Sequence, residues 1–177
     1  MIRLAGPADM DAMIALQHAA PEAAHWSAAE YAAILRKQDS GALRRWCYLF
    51  ENEAGLFESK TGVEGKVASG SRDGGLLGFI VVKLLRVGGE AMGEIENLAV
   101  AAAARRRGVG AALCRAALGR LHDEGVATVE LEVRAGNRAA LALYRRLGLE
   151  ATGIRLDYYS NPTEDAHLLR GRLPCAK

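Results

Sequence analysis

Asn97-Leu98-Ala99-Val100, then Ala101-Ala102-Ala103-Ala104, then Arg105-Arg106-Arg107-Gly108-Val109-Gly110-Ala111-Ala112-Leu113 is the stretch whose reading decides the fold. An apolar strand segment runs into a glycine turn, and the turn opens a helix. Backbone N–H groups at such a helix start point outward with the positive end of the helix dipole behind them, a geometry that binds phosphate. Taken alone, the same pattern also describes an ordinary helix start. Two familiar phosphate loops do not fit: the dinucleotide fingerprint needs a third glycine where Leu113 stands, and a P-loop needs Gly-Lys-Ser/Thr.

Two downstream stretches extend the reading. In Thr128-Val129-Glu130-Leu131-Glu132-Val133-Arg134, strict alternation places Val129, Leu131 and Val133 on one strand face and Glu130, Glu132 and Arg134 on the other. A strand late in a wound sheet is usually covered on both faces, and burying unpaired carboxylates costs several kcal/mol, so the charged face opens on a cleft or carries an ion pair. A Glu–Arg pair on a solvated face is the plainer alternative. In Asn137-Arg138-Ala139-Ala140-Leu141-Ala142-Leu143-Tyr144-Arg145-Arg146-Leu147-Gly148, Asn137 is a good N-cap, and Ala140, Leu141, Tyr144 and Leu147 share a helix face. A tyrosine there is ordinarily core, yet beside Glu132 it also supplies a possible acid, with a phenol pKa near ~10, opposite a possible base.

Working outward, Ile2-Arg3-Leu4 reads as an edge strand, and Asp9 or Asp11 can cap a helix running to about Ala20, ended by Pro21. Ser27-Ala28-Ala29-Glu30 is a capping box, followed by Tyr31, Ile34 and Leu35 at helical spacing. Strands are expected at 46–50, 76–85 (where Gly78 marks a bulge or close approach), 94–100 and 128–134, with a closing antiparallel pair at 154–159 and 165–173. Helices are expected over 105–124 and 137–147, the latter ended by Gly148. The segment from about 53 to 75 is rich in Gly, Ser and charge and reads as a flexible insertion or extended hairpin. The order of strands and helices fits one mixed α/β sheet covered by helices.

The composition agrees with a single domain over 1–177. The chain has 177 residues, 50% apolar and 25% charged, and at this size folding buries roughly 70% of the extended surface without help from disulfides or metals. A net charge of +2 does not suit a dedicated nucleic-acid binder. Cys47, Cys114 and Cys175 and the four histidines show no ligand spacing, so no metal is expected and the thiols read as reduced and buried. Asp9 and Asp11 interrupt any signal-peptide core, and no apolar run approaches the ~18 residues of a membrane span, which points to the cytoplasm and away from membranes.

The succession Asn97-Leu98-Ala99-Val100, Arg105-x-x-Gly108-x-Gly110, Leu131-Glu132-Val133-Arg134, Asn137-x-x-Ala140 and Leu143-Tyr144-x-x-Leu147-Gly148 resembles the acetyl-CoA-binding core of the GNAT N-acetyltransferases. Within that superfamily it is most similar to the RimI-type enzymes, the ribosomal-protein-alanine N-acetyltransferases. Trp26-Ser27, the run Glu132-Val133-Arg134-Ala135-Gly136-Asn137, and Arg155-x-x-Tyr158-Tyr159 followed by Glu164-Asp165-Ala166 point the same way. The chain departs from the family pattern in lacking a proline within 101–104, in Gly148-Leu149 for the usual Gly-Phe, and in the length of the 53–75 segment.

The resemblance implies a mixed, mostly antiparallel sheet with a splayed central strand pair. Acetyl-CoA would lie in that wedge as co-substrate. Its pantetheine arm would bond the backbone of Leu98 and Val100, with Ala99 between them, and its pyrophosphate would sit on N–H groups of Arg106, Arg107, Gly108, Val109, Gly110 and Ala111, with Arg105 nearby. Asn137 would touch the pantetheine or cysteamine arm. Glu132 would be the general base and Tyr144, beside the cofactor, the acid that protonates the departing thiolate, with backbone N–H groups near Leu98 and Ala99 stabilising the oxyanion. Glu96 is the competing base. Trp26, Glu96, Tyr158 and Tyr159 would wall the acceptor site, for a ribosomal protein N-terminus beginning with alanine. Glu94, Glu96 and Glu132 would draw in a basic residue close behind that terminus. GNAT folds also acetylate lysine side chains, polyamines, amino acids or antibiotics, and a silent member could serve as a CoA-sensing module; retention of Glu132 and Tyr144 argues for an enzyme.

Overall fold

A computed structural model of the chain describes residues 1–36, 41–52 and 75–173. Apart from Gly75, the expected insertion at about 53–75 lies outside the described residues, as does Cys175. The strands are β1 (Ile2–Leu4), β2 (Leu43–Glu51), β3 (Leu76–Val87), β4 (Glu90–Val100), β5 (Thr128–Arg134), β6 (Glu150–Ser160) and β7 (Thr163–Arg172). The helices are α1 (Met10–His18), α2 (Ala28–Leu35), α3 (Val109–Asp123) and α4 (Arg138–Arg146). One sheet runs β1-β2-β3-β4-β5-β7-β6, antiparallel except where β4 meets β5. This is the mixed, mostly antiparallel sheet flanked by helices that the sequence implied.

Local chemistry explains most element ends. The Ser27 side chain accepts from the Glu30 N–H at 3.3 Å, while the Glu30 carboxylate accepts from the Ser27 N–H at 2.7 Å, so α2 starts at its capping box. Asn137 Oδ1 accepts from the Ala140 N–H at 3.0 Å and starts α4. Gly88 and Gly89, with φ of +59° and +87°, form a two-residue hairpin turn, so β4 begins at Glu90 rather than the expected Glu94. At the start of α1 the expected side-chain cap is absent. Asp9 instead binds the Arg3 guanidinium at 2.6 and 2.8 Å and the Gly6 N–H at 2.8 Å, charge-assisted bonds that outcompete a neutral cap. The helix ends at His18, ahead of Pro21, and α3 begins at Val109 rather than Arg105 because Arg106 and Gly108 are left-handed, with φ of +62° and +84°.

Each sheet face has its own core. On one, Ile80, Val82 and Leu84 of β3 and Val129 and Leu131 of β5 pack with Leu113, Ala117 and Leu121 of α3 and Leu141 and Tyr144 of α4. On the other, Met13 and Leu16 of α1 and Tyr31 and Leu35 of α2 cover Cys47, Leu49, Phe79, Val81 and Ala99. Gly78 is a close approach, as expected: a Cβ there would stand 2.9 Å from the Ala99 carbonyl oxygen and 3.1 Å from Leu113. Cys47 and Cys114 are buried free thiols.

The feature that positions the site lies mid-sheet. β4 and β5 pair from Met92↔Thr128 to Ile95↔Leu131, and the pairing goes no further although the strands continue to Val100 and Arg134. Past that point β4 stays with β3 and β5 stays with β7, so the two part like a fork. At the same level a bulge sets Val81 opposite Asn97 and Val82 opposite Ile95, leaving Glu96 as the extra residue.

Candidate active site

A cavity of about 440 Å³ lies against the β4 prong of this fork. Leu98, Ala99 and Val100 form one wall, and Arg105, Arg106, Gly108, Val109, Gly110 and Ala111 close its end. Asn137, Ala140, Leu143 and Arg146 come from α4 and its cap, and Ala20, Glu22 and Ala23 from the segment joining α1 to α2. Of the residues expected to hold the cofactor, Arg107 and Tyr144 do not line this cavity; the others do. The Ala112 N–H makes an α3 bond to the Gly108 carbonyl at 2.9 Å, and the N–H groups of Val109, Gly110 and Ala111, at the first turn, have no intrahelical acceptor. A Cβ on Gly110 would come within 3.3 Å of Leu143 and 3.6 Å of Val100, filling the space beside those donors. A flexible chain ending in phosphates fits this cradle: an apolar wall, first-turn N–H groups without an intrahelical acceptor, and three arginines.

Arg105 donates to the Val100 carbonyl at 3.2 Å and pairs with Glu22 at 3.2 Å, linking the glycine turn to the α1–α2 segment. Neither this pairing nor the part of Arg146 in the wall was visible in the sequence, because no local pattern links residue 22 to residue 105.

Across the fork, on the β5 side, side chains do the building. Glu132 sits just past the last β4–β5 pair, bonded to Arg155 at 3.1 Å and accepting from the Tyr158 hydroxyl. That bond, with some burial, raises the Tyr158 phenol above its ordinary value. Tyr159 stacks edge-on against Tyr158 with ring centroids 5.1 Å apart and lies under the Arg134 guanidinium at 4.1 Å; burial first, then Glu132, pushes its phenol up to about 12. Arg134 in turn binds Glu164 at 3.1 Å. The charged face of β5 therefore carries ion pairs, as one branch of the sequence reading allowed.

Glu96 is held by Arg45 at 2.8 and 2.9 Å and by Lys83 at 3.4 Å, and Lys83 also binds Glu94. The expected pull of Glu94, Glu96 and Glu132 on a basic residue of the acceptor thus loses its source, since each carboxylate already faces a cation of this chain. Tyr144 is 5% exposed, within the α3-side core, and burial, then Cys114, raises its phenol well above the ordinary value. Trp26 is half-buried, its ring 5.6 Å from that of Tyr31. Among the described residues no cluster of His, Cys, Asp or Glu could hold a metal, and no helix is long and apolar enough to cross a membrane.

A model of the acetyltransferase (GNAT) family matches residues 19–149, from the α1–α2 segment through the end of α4. The chain belongs to the GNAT acetyltransferase family. Members of the family use acetyl-CoA. The GNAT chain is similar to the [ribosomal protein bS18]-alanine N-acetyltransferase of Escherichia coli strain K12, 48% identical over 69 residues, which cover 39% of this chain and 45% of that one. It is also similar to a mycothiol acetyltransferase of Paenarthrobacter aurescens, 34% identical over 125 residues, 70% of this chain and 38% of that one. It thus spans about half the length, or less, of these curated relatives. The crystal structure of the ribosomal-protein-S18-alanine N-acetyltransferase from Escherichia coli superimposes over 100% of this chain and 96% of that one, with a TM-score of 0.67 at 26% identity.

Proposed function

We propose that the chain, acting as one domain over 1–177 in the cytoplasm, transfers the acetyl group of acetyl-CoA to the α-amino group of an N-terminal alanine, that of ribosomal protein bS18. The observation that carries this reading is the fork: a cradle of backbone donors on one prong and, on the facing strand, a carboxylate set among aromatic rings. The similarity to the Escherichia coli alanine acetyltransferase supports the choice of acceptor.

In this reading acetyl-CoA supplies a thioester whose carbonyl carbon is attacked by the neutral amine; the C–N bond forms to give a tetrahedral oxyanion, and the C–S bond breaks as that intermediate collapses and expels the CoA thiolate. The first-turn N–H groups and Arg105 and Arg106 hold its phosphates, and the backbone of Leu98 and Val100 aligns its arm. An α-amino group with a pKa near ~7.7–8.0 is partly neutral at physiological pH, so a carboxylate acting directly or through water suffices as base. Glu132 takes that proton. Tyr144 gives a proton to the departing sulfur, and N–H groups near Leu98 and Ala99 face the developing oxyanion. Trp26, Tyr158 and Tyr159 wall the acceptor, and Glu96, committed to Arg45 and Lys83, orders β4 at the fork.

The test is turnover of acetyl-CoA with peptides that begin with Ala or Leu, an N-blocked peptide with one internal lysine, and spermidine. The Ala peptide should lead in kcat/KM by about 10–100-fold over Leu. Equal or better turnover of lysine or spermidine would replace the protein N-terminus by a side-chain or small-molecule amine.

A further inference from the structure

We propose that Gln17, Tyr31 and Asn97 are positioning residues for the acceptor: a buried hydrogen-bonded chain from α1 through α2 to β4 fixes the 19–27 segment beside the fork, and with it the choice of amine. This rests on the acetyl-transfer reading above and adds three residues to which the sequence reading assigned no role at the site.

The Tyr31 hydroxyl donates to Gln17 Oε1 at 2.6 Å. Gln17 also accepts from the Trp26 N–H at 3.0 Å and donates through Nε2 to the Trp26 carbonyl at 2.6 Å, gripping that peptide on both sides. Asn97 Nδ2 donates to the Ala24 carbonyl at 3.0 Å and to the Tyr31 hydroxyl at 3.4 Å. The three residues are 1%, 0% and 4% exposed, and the other buried residues with a polar oxygen or nitrogen in the side chain among those described are Asp9 and Tyr144.

Burial of polar groups is tolerated only when they are bonded, and each bond here ends on the 19–27 backbone or on another member of the chain. That segment lies outside helix and sheet, so side chains take the place of a ladder. Asn97 shows the demand most plainly. Its Oδ1 is buried with no partner among the described residues, a cost that an apolar residue would avoid, so the position uses the amide for what Nδ2 reaches. Asn97 also follows the bulged Glu96, which anchors the network at the fork itself. At its far side the held segment contributes Ala20, Glu22 and Ala23 to the cavity wall and carries Trp26.

Positioning and plain stabilisation separate cleanly, because the ratio of kcat/KM for two acceptors does not depend on the fraction of protein folded. Tyr31→Phe deletes one oxygen, and Gln17→Leu removes the grip on Trp26. Each should raise the KM for the Ala peptide about fivefold and shrink the Ala-over-Leu preference at least about threefold. An unchanged preference in both variants overturns the proposal. Amide hydrogen exchange of 19–27, followed by mass spectrometry, gives a second reading that needs no turnover. If the wild-type protein acetylates none of the amines, the proposed function falls, and the network is judged by exchange alone: faster exchange in the variants upholds it, and wild-type exchange rejects it.

Discussion

The two sides of the fork are made of different material. The side proposed to hold the cofactor is mostly backbone: residues between Leu98 and Ala111, a left-handed Arg106 and Gly108, and N–H groups at the first turn of α3. The acceptor side is mostly side chain: Glu132 with Arg155 and Tyr158, Glu96 with Arg45 and Lys83, Asn97 with Tyr31 and the 19–27 segment. Backbone donors cannot be changed without changing the path of the chain, whereas side-chain pairs are replaced one mutation at a time. The cofactor side should therefore be fragile to changes in conformation, and the acceptor side to changes in single groups.

The largest expected effect breaks the backbone side. Gly110→Val places a branched side chain against Leu143, and Gly108→Val forces a β-branched residue to a φ of +84°, which costs about 1–3 kcal/mol in strain alone. Each should weaken CoA binding by about 100-fold or more, roughly 2.7 kcal/mol, as measured by titration calorimetry. Wild-type affinity in both would mean that the phosphates bind elsewhere.

Next, Glu132→Gln and Tyr144→Phe remove single groups and should lower kcat by about 10²–10⁴-fold with unchanged CoA affinity. If Glu96→Gln loses activity while Glu132→Gln keeps it, the base stands on β4 instead of β5.

The link between the two sides gives a smaller effect. Glu22 is a carboxylate in the wall of a cavity assigned to phosphates, paired with an Arg105 that is about equally exposed. Glu22→Gln should tighten CoA binding by about two- to fivefold, more at low ionic strength, since surface charges are screened over about 10 Å at 0.1 M salt. Weaker binding at every salt concentration would show that the pair holds the cavity open.

The smallest functional effect belongs to Asp9, on the β1 side of the sheet. The bond from Arg3 holds its carboxyl below the ordinary value, so its stabilisation is complete above the unfolded value near ~3.9 and is lost as pH falls through the lower folded value. Asp9→Asn should cost about 1–3 kcal/mol at pH 7 by urea denaturation, converge with wild type in acid, and leave both CoA affinity and acceptor KM unchanged.

The same contrast governs how much could be read from the sequence. The order of strands and helices, the capping box at Ser27, the cap at Asn137 and the glycine turn are settled within a few residues of chain, where periodicity and the φ freedom of glycine suffice. Tyr144 read equally as core residue and as acid, since spacing gives a face and not what that face meets. That Glu94 and Glu96 are neutralised by Arg45 and Lys83 depends on the β2–β3–β4 register and on one bulge. That Glu132 meets Arg155, and that Gln17 meets Trp26 while Asn97 meets Ala24, depends on how strands and helices distant in sequence come to share a face. The sequence by itself determined the elements and the glycine turn that opens α3, because both follow from neighbours along the chain. Only the tertiary structure decided the charge state of the acceptor face and the hold on 19–27, because each is a pairing between residues brought together by burial of the whole sheet.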